Sequence, residues 1–188
     1  MALVYTPIPN QGSVCPEFSL PGTDGRNHSL QDFKNGKALL VMFICNHCPY
    51  VKAIEDRLIE LGSDLKAIGV GIVGISSNDA EDYPEDSFEN MKKRSSLKKY
   101  TYPFLYDESQ AVAQAFGAVC TPDFFLYDNE LKLQYRGRLD DSWKDANKVQ
   151  ARELYLAAKA LVEKKPVSEY QPPSMGCSIK WKETGNKN

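Results

Sequence analysis

Ala38-Leu39-Leu40-Val41-Met42-Phe43-Ile44-Cys45-Asn46-His47-Cys48 decides how the rest of this chain is read. Seven consecutive apolar residues, Ala38 to Ile44, predict a strand buried on both faces. Beyond them Val51, Ile54, Leu58, Leu61 and Leu65 recur at alternating spacings of three and four, which is one face of an amphipathic helix. That helix is expected from about Cys45 to Ile68. The two cysteines then stand where a strand turns into a helix, with Cys45 at the helix N-terminus. Unpaired N–H groups and the helix dipole favour a thiolate there, so Cys45 should titrate below the ordinary value of about 8.5. Cys48 follows one turn later and can close a disulfide with it. This is the layout of a dithiol redox site.

Working outward, Phe18-Ser-Leu and Asn27-His-Ser-Leu30 predict two short strands around Asp24-Gly25. Val70 to Ser76 is a second buried strand. Ser77 to Ser87 carries Asp79, Glu81, Asp82 and Pro84 and reads as a surface loop. Helices follow from about Ser87 to Tyr100 and from Ser109 to Phe116, the latter stopped by Gly117. Between them, Pro103 to Asp107 is extended. Phe124 to Tyr127 and Leu131 to Arg136 predict a hairpin. A last helix is expected over about Asp145 to Lys164, with Asp140-Asp141 capping it and Trp143 packed. From Lys165 on, Pro166, Pro172, Pro173 and Gly176 predict an irregular tail. Strands alternating with helices, closed by a hairpin and a helix, point to an α/β fold with a mixed central sheet flanked by helices. The first strand–helix–strand unit should be parallel and right-handed.

The 188 residues favour one domain across 1–188, large enough for a substantial core. Charge is nearly balanced, 23 basic against 25 acidic residues. The runs Lys92-Lys93-Arg94 and Lys98-Lys99 are short and read as a polar helix face, so no nucleic-acid partner is expected. The first residues lack a signal-peptide pattern, and no apolar run is long enough to span a bilayer. A soluble cytoplasmic protein without a membrane partner is the expectation. Five cysteines (15, 45, 48, 120 and 177) are an odd number and make no disulfide framework. A zinc centre needs four ligands, but the chain has only His28 and His47 and no second Cys-x-x-Cys.

Cys45-Asn46-His47-Cys48 at a strand–helix junction, with Val119-Cys120-Thr121-Pro122 ahead of Asp123-Phe124-Phe125-Leu126, resembles the thioredoxin fold. The opening Gly12-Ser-Val-Cys-Pro16-Glu-Phe18-Ser-Leu20, with Asp24-Gly25 and Ser29-Leu30, resembles the redoxin branch. That branch holds the alkyl hydroperoxide reductase/thiol-specific antioxidant proteins and the TlpA-like thiol-disulfide oxidoreductases. The motif Ser174-Met-Gly-Cys177-Ser-Ile-Lys-Trp181 is similar to that of a bacterial thioredoxin-family group. The resemblance covers about residues 12 to 182. It implies a thioredoxin-like domain with an N-terminal hairpin extension, and a cis Thr121–Pro122 bond packed on the dithiol. It also implies that the Thr121 segment offers its backbone to an extended substrate peptide. Ile44 stands where thioredoxins carry Trp, and Leu39 where they carry a buried Asp that assists proton transfer at the second thiol. Val41 to Ile44 lacks the Thr that peroxiredoxins need.

The expected activity is thiol-disulfide exchange with no cofactor, since the dithiol carries the electrons. Cys45 is the expected nucleophile and Cys48 the resolving thiol. His47 would stabilise the Cys45 thiolate, and Pro122 completes the expected catalytic group. Asn46, Thr121 and Cys120 are the expected substrate-binding residues, with Cys120 read either as a third redox thiol or equally as a small buried packing residue. Partners would be protein or small-molecule thiols and disulfides and an upstream dithiol reductant. The rival readings are a thiol peroxidase, a copper carrier using Cys45, Cys48 and His47, and a redox-inert adaptor. The tail, with Ile179 and Trp181 close together, is expected to dock on the body. Cys177 would then be a packing residue or, if brought near the other thiols, a third exchanging one.

Overall fold

The computed structural model describes residues 3–183; the expected domain limits at 1 and 188 lie outside the described residues. Its main sheet holds β4 (Ala38–Phe43), β5 (Val70–Ser76), β6 (Phe104–Tyr106), β8 (Asp123–Asp128) and β9 (Leu133–Tyr135) in the order β6-β5-β4-β8-β9. The central strand β4 pairs parallel with β5 and antiparallel with β8, so the sheet is mixed. All six residues of β4 are buried because both faces are covered. Leu40, Met42 and Ile44 point into one core layer, with Ile54, Leu58 and Leu61 of α1 (Pro49–Ala67). Leu39, Val41 and Phe43 point into the other, with Phe116 of α3 (Ala111–Phe116) and Phe18 and Leu20 of the N-terminal hairpin.

That hairpin is β2 (Ser19–Pro21) and β3 (Asn27–Ser29). A separate sheet joins β1 (Leu3–Tyr5), β10 (Met175–Ser178) and β7 (Cys120–Thr121), in the order β1-β10-β7. The remaining helices are α2 (Phe88–Lys98) and α4 (Glu153–Val162). Ser87 caps α2 by accepting from Asn90 N, and Gly117 ends α3 in the left-handed conformation. No helix among the described residues is long and apolar enough to cross a membrane.

Several expectations need correction. Helix α1 begins at Pro49, not Cys45, with Cys48 as its N-cap. Pro suits the first helical position because the N–H it lacks is unpaired there anyway. The final helix is shorter than expected: Ala146–Lys148 is a separate 3-10 turn whose C-cap, Val149, is extended. Asp140 and Asp141 do not cap α4. Asp140 pairs with Arg57, and Asp141 accepts from Gln150 N at 2.9 Å. Trp143 stays half-exposed, its ring 4.8 Å from that of Tyr50. The 77–87 segment is not simply surface, since Ser77, Asn78, Asp79 and Asp86 are buried. Finally, the tail contains strand β10, which docks the chain end on the body.

Candidate active site

The dithiol lies between the end of β4 and the first turn of α1, facing the segment between β7 and β8. The Thr121–Pro122 peptide bond is cis. Thr121 touches both sulfurs: its Oγ1 is 3.3 Å from Cys45 Sγ, and its carbonyl accepts from Cys48 Sγ at 3.2 Å. Cys45 and Cys48 are hydrogen-bonded to each other. Both are buried, Cys45 at 2 % and Cys48 at 0 % exposure, so exposure does not distinguish their roles.

Electrostatics does distinguish them. Burial pushes the Cys45 thiol well above its ordinary range, and the bond to Cys48 and the nearby Asp86 carboxylate push the same way. Cys48 is pulled down to about 4, first by the hydrogen bond from Cys45, with the backbone N–H groups of Val51 and Cys177 adding to it against the cost of burial. The helix start is a further contribution: Cys48, not Cys45, is the N-cap of α1, and Val51 with its N–H lies in the first turn. These directions favour the charge on Cys48, where the sequence pattern places it on Cys45.

His47 has its Nδ1 3.9 Å from Cys45 Sγ. Its partner is Asp86, whose Oδ2 lies 2.5 Å from Nδ1. Asp86 also accepts from the backbone N–H groups of Asn46 at 2.7 Å and His47 at 3.1 Å, and from Asn78 Nδ2 at 2.8 Å. Burial opposes the Asp86 charge, but these bonds outweigh it and hold the carboxyl below the usual carboxylate range. Tyr83 stacks on the imidazole, ring centroids 4.9 Å apart. Asp86 and Asn78 were not found from the sequence. Pro84-Glu-Asp-Ser87 reads locally as the lead-in to a helix, and nothing in it signals a buried partner for His47.

The other expected site residues divide. Thr121 and Pro122 are brought to the dithiol. Asn46, expected to meet substrate, is buried and instead donates through Nδ2 to Glu85 O at 2.9 Å, tying the active loop to the 3-10 turn Pro84–Asp86. Cys120 is wholly buried, its Sγ 3.6 Å from Pro122 O, and burial raises its thiol. The Thr121 edge expected to receive a peptide is occupied by β10, in the register Cys177↔Thr121 and Ser178↔Cys120.

Beyond Pro122 a cleft of about 250 Å³ opens between Tyr50, Phe124, Leu139, Trp143 and Met175. It lies beside the thiols, not over them. Cys45, His47 and Asp86 each offer a ligand atom, all within 4.8 Å of one another. A metal there would have to take His47 Nδ1 from Asp86.

Residues 11–136 match the model of the AhpC/TSA family. The chain belongs to that family. It is 28 % identical over 130 residues to the thiol-disulfide oxidoreductase ResA of Geobacillus thermodenitrificans, a match covering 65 % of this chain and 66 % of that protein. It is 27 % identical over 148 residues to peroxiredoxin Bcp of Escherichia coli, covering 72 % of this chain and 88 % of that one. A crystal structure of an uncharacterized conserved protein from Geobacillus kaustophilus superposes with a TM-score of 0.92 at 47 % identity, over 98 % of this chain and 99 % of that one. More distant solved structures share the thioredoxin-like fold. The family, ResA and Bcp are thiol redox proteins, in agreement with the reading of the Cys-x-x-Cys segment.

Proposed function

We propose that this protein exchanges disulfides with protein or small-molecule dithiols through Cys45 and Cys48, and that its disulfide is easily reduced. The observation that carries this is the place of Cys48 at the start of α1, where the departing thiolate is stabilised. A low-pKa thiol leaves faster, and a stabilised reduced form makes the couple more oxidising.

In the oxidised enzyme a substrate thiolate attacks Cys45 Sγ. The Cys45–Cys48 bond breaks and its electron pair leaves on Cys48. The second substrate thiol then attacks the substrate sulfur of the mixed disulfide and releases Cys45, which keeps the proton. The substrate ends as a disulfide and the enzyme as a dithiol with its charge on Cys48. The reverse sequence reduces a disulfide, with an upstream dithiol as reductant. We place the protein in the reducing cytoplasm, and no organic cofactor enters these steps.

The test is turnover of a dithiol peptide and reduction of insulin by wild type and by the Cys45→Ser and Cys48→Ser variants. Both substitutions should abolish turnover, and Cys48→Ser should accumulate a mixed disulfide on Cys45. Full turnover by Cys45→Ser would overturn the reading.

The same thiolate favours a second reading, a thiol peroxidase. Peroxide would oxidise Cys48 to a sulfenic acid, and Cys45 would condense with it to the disulfide, releasing water. Among the described residues no arginine hydrogen-bonds either sulfur. Peroxide consumption coupled to a dithiol reductant separates the two readings.

A further inference from the structure

The strand that closes the tail does more than anchor it. β10 lies antiparallel on β7, so Cys177 stands directly across from Thr121, the residue that touches both active thiols. Only glycine fits before it: a Cβ on Gly176 would collide with the Thr121 carbonyl. The strap is fastened on both sides. Ser174 Oγ donates to Pro122 O at 2.8 Å, Ile179 N to Val119 O at 3.1 Å, and Lys180 N to Asn78 Oδ1 at 2.8 Å.

Cys177 is buried in the same core layer as the dithiol, and Cys48 is close enough to raise its thiol. Cys48 acts on the thiols of both Cys45 and Cys177. Cys120, one residue before Thr121, lies across from Ser178 and turns its sulfur to Pro122 O.

We infer that Cys177 is a third redox thiol, which takes Cys48 out of a Cys45–Cys48 disulfide and returns Cys45 to the thiol form. This rests on the exchange reading above. Cys177 Sγ attacks Cys48 Sγ. The Cys48–Cys177 bond forms as the Cys45–Cys48 bond breaks, the electron pair leaves on Cys45, and the proton lost by Cys177 ends there. No electron enters or leaves the protein.

The step is gated by the redox state. In the reduced protein, burial first and then the bond and charge of Cys48 hold Cys177 up at about 11. A Cys45–Cys48 disulfide carries no charge, so oxidation removes the second of these restraints. The outcome is a Cys48–Cys177 disulfide and a reduced Cys45.

The test is a disulfide map after oxidation with diamide, which takes up the two electrons and protons of a dithiol, followed by acid quench. In Cys45→Ser a Cys48–Cys177 peptide is expected. It should be lost in Cys45→Ser/Cys177→Ala, and also in Cys45→Ser/Gly176→Ala, where both thiols remain but the strand is displaced. Far-UV circular dichroism and thermal unfolding check that each variant folds. Partly oxidised wild type, mapped in the same way, gives the answer without any substitution and should show both Cys45–Cys48 and Cys48–Cys177 peptides. If wild type shows only Cys45–Cys48 and Cys45→Ser leaves Cys177 reduced or joins Cys48 to Cys120, the third-thiol assignment is overturned while the dithiol reading stands. If wild type forms no Cys45–Cys48 bridge, the dithiol reading falls with it. A bridge formed equally well in Cys45→Ser/Gly176→Ala would show that β10 does not place the thiol and would also overturn the assignment.

Discussion

Asp86 holds His47 from both ends: one carboxylate oxygen lies 2.5 Å from the imidazole Nδ1, while the other accepts the backbone N–H of the same residue at 3.1 Å. One buried side chain thus fixes both the path of the Cys45–Cys48 loop and the orientation of its only ring.

Replacing Asp86 by Asn should cost about 1–3 kcal/mol, the range for stranding a buried hydrogen-bonding partner. The shift should appear in the urea midpoint with the slope unchanged. The same substitution removes a charge that keeps Cys45 protonated, so Cys45 should alkylate at lower pH than in wild type. An unchanged Cys45 titration would remove Asp86 from the electrostatics of the site.

The thiols predict a pH-dependent stability in the reduced protein. Cys48 is depressed to about 4, so its contribution is present above the unfolded-state value of about 8.5 and is lost as pH falls toward 4. Cys45 is raised, so its contribution is present below that unfolded value and is lost as pH rises beyond it. Comparison with Cys48→Ser isolates the first effect. The stability difference between wild type and this variant should widen as pH rises from about 4 to about 8.5, and a difference independent of pH would contradict the thiolate assignment.

The couple should be less reducing than thioredoxin, with a potential between about −270 and −180 mV. His47→Pro should shift it toward the reducing end by about 30 mV, a tenfold change in the equilibrium with glutathione. A potential unmoved by this substitution would take His47 out of the redox poise.

Arg136 and Asp123 form a buried ion pair at 2.9 Å, at the head of β8 just beyond the Thr121–Pro122 bond. Arg136 also donates to Gly117 O at 2.8 Å. Arg136→Ala leaves Asp123 buried without its cation and should cost about 3–5 kcal/mol. Burial already raises the Asp123 carboxyl, and loss of the arginine should raise it further. Chemical denaturation at neutral and acid pH measures both effects, since a protonated Asp123 needs the arginine less.

Much of this fold is legible along the chain. Strand β4 is announced by an unbroken apolar run and α1 by a regular apolar face, because burial on two sides or one leaves a periodic trace in the residues themselves. The cysteines are legible for the same reason: their spacing and their place after β4 are local facts. Which of them carries the charge is not local. It depends on where the first helical turn begins, and Pro49 moves that point to make Cys48 the cap. The partners of the site are less local still. Asp86 reaches His47 across 39 residues of sequence, and Cys177 arrives at Cys48 on a strand formed inside a stretch whose prolines and glycine read as irregular. A four-residue strand has too little periodicity to be seen alone; it exists because β1 and β7 on either side complete its hydrogen bonds. Residue pattern therefore suffices for the central strands, the α1 face and the thiols, while β10, the carboxylate beside His47 and the third sulfur are placed only where packing closes the chain on itself.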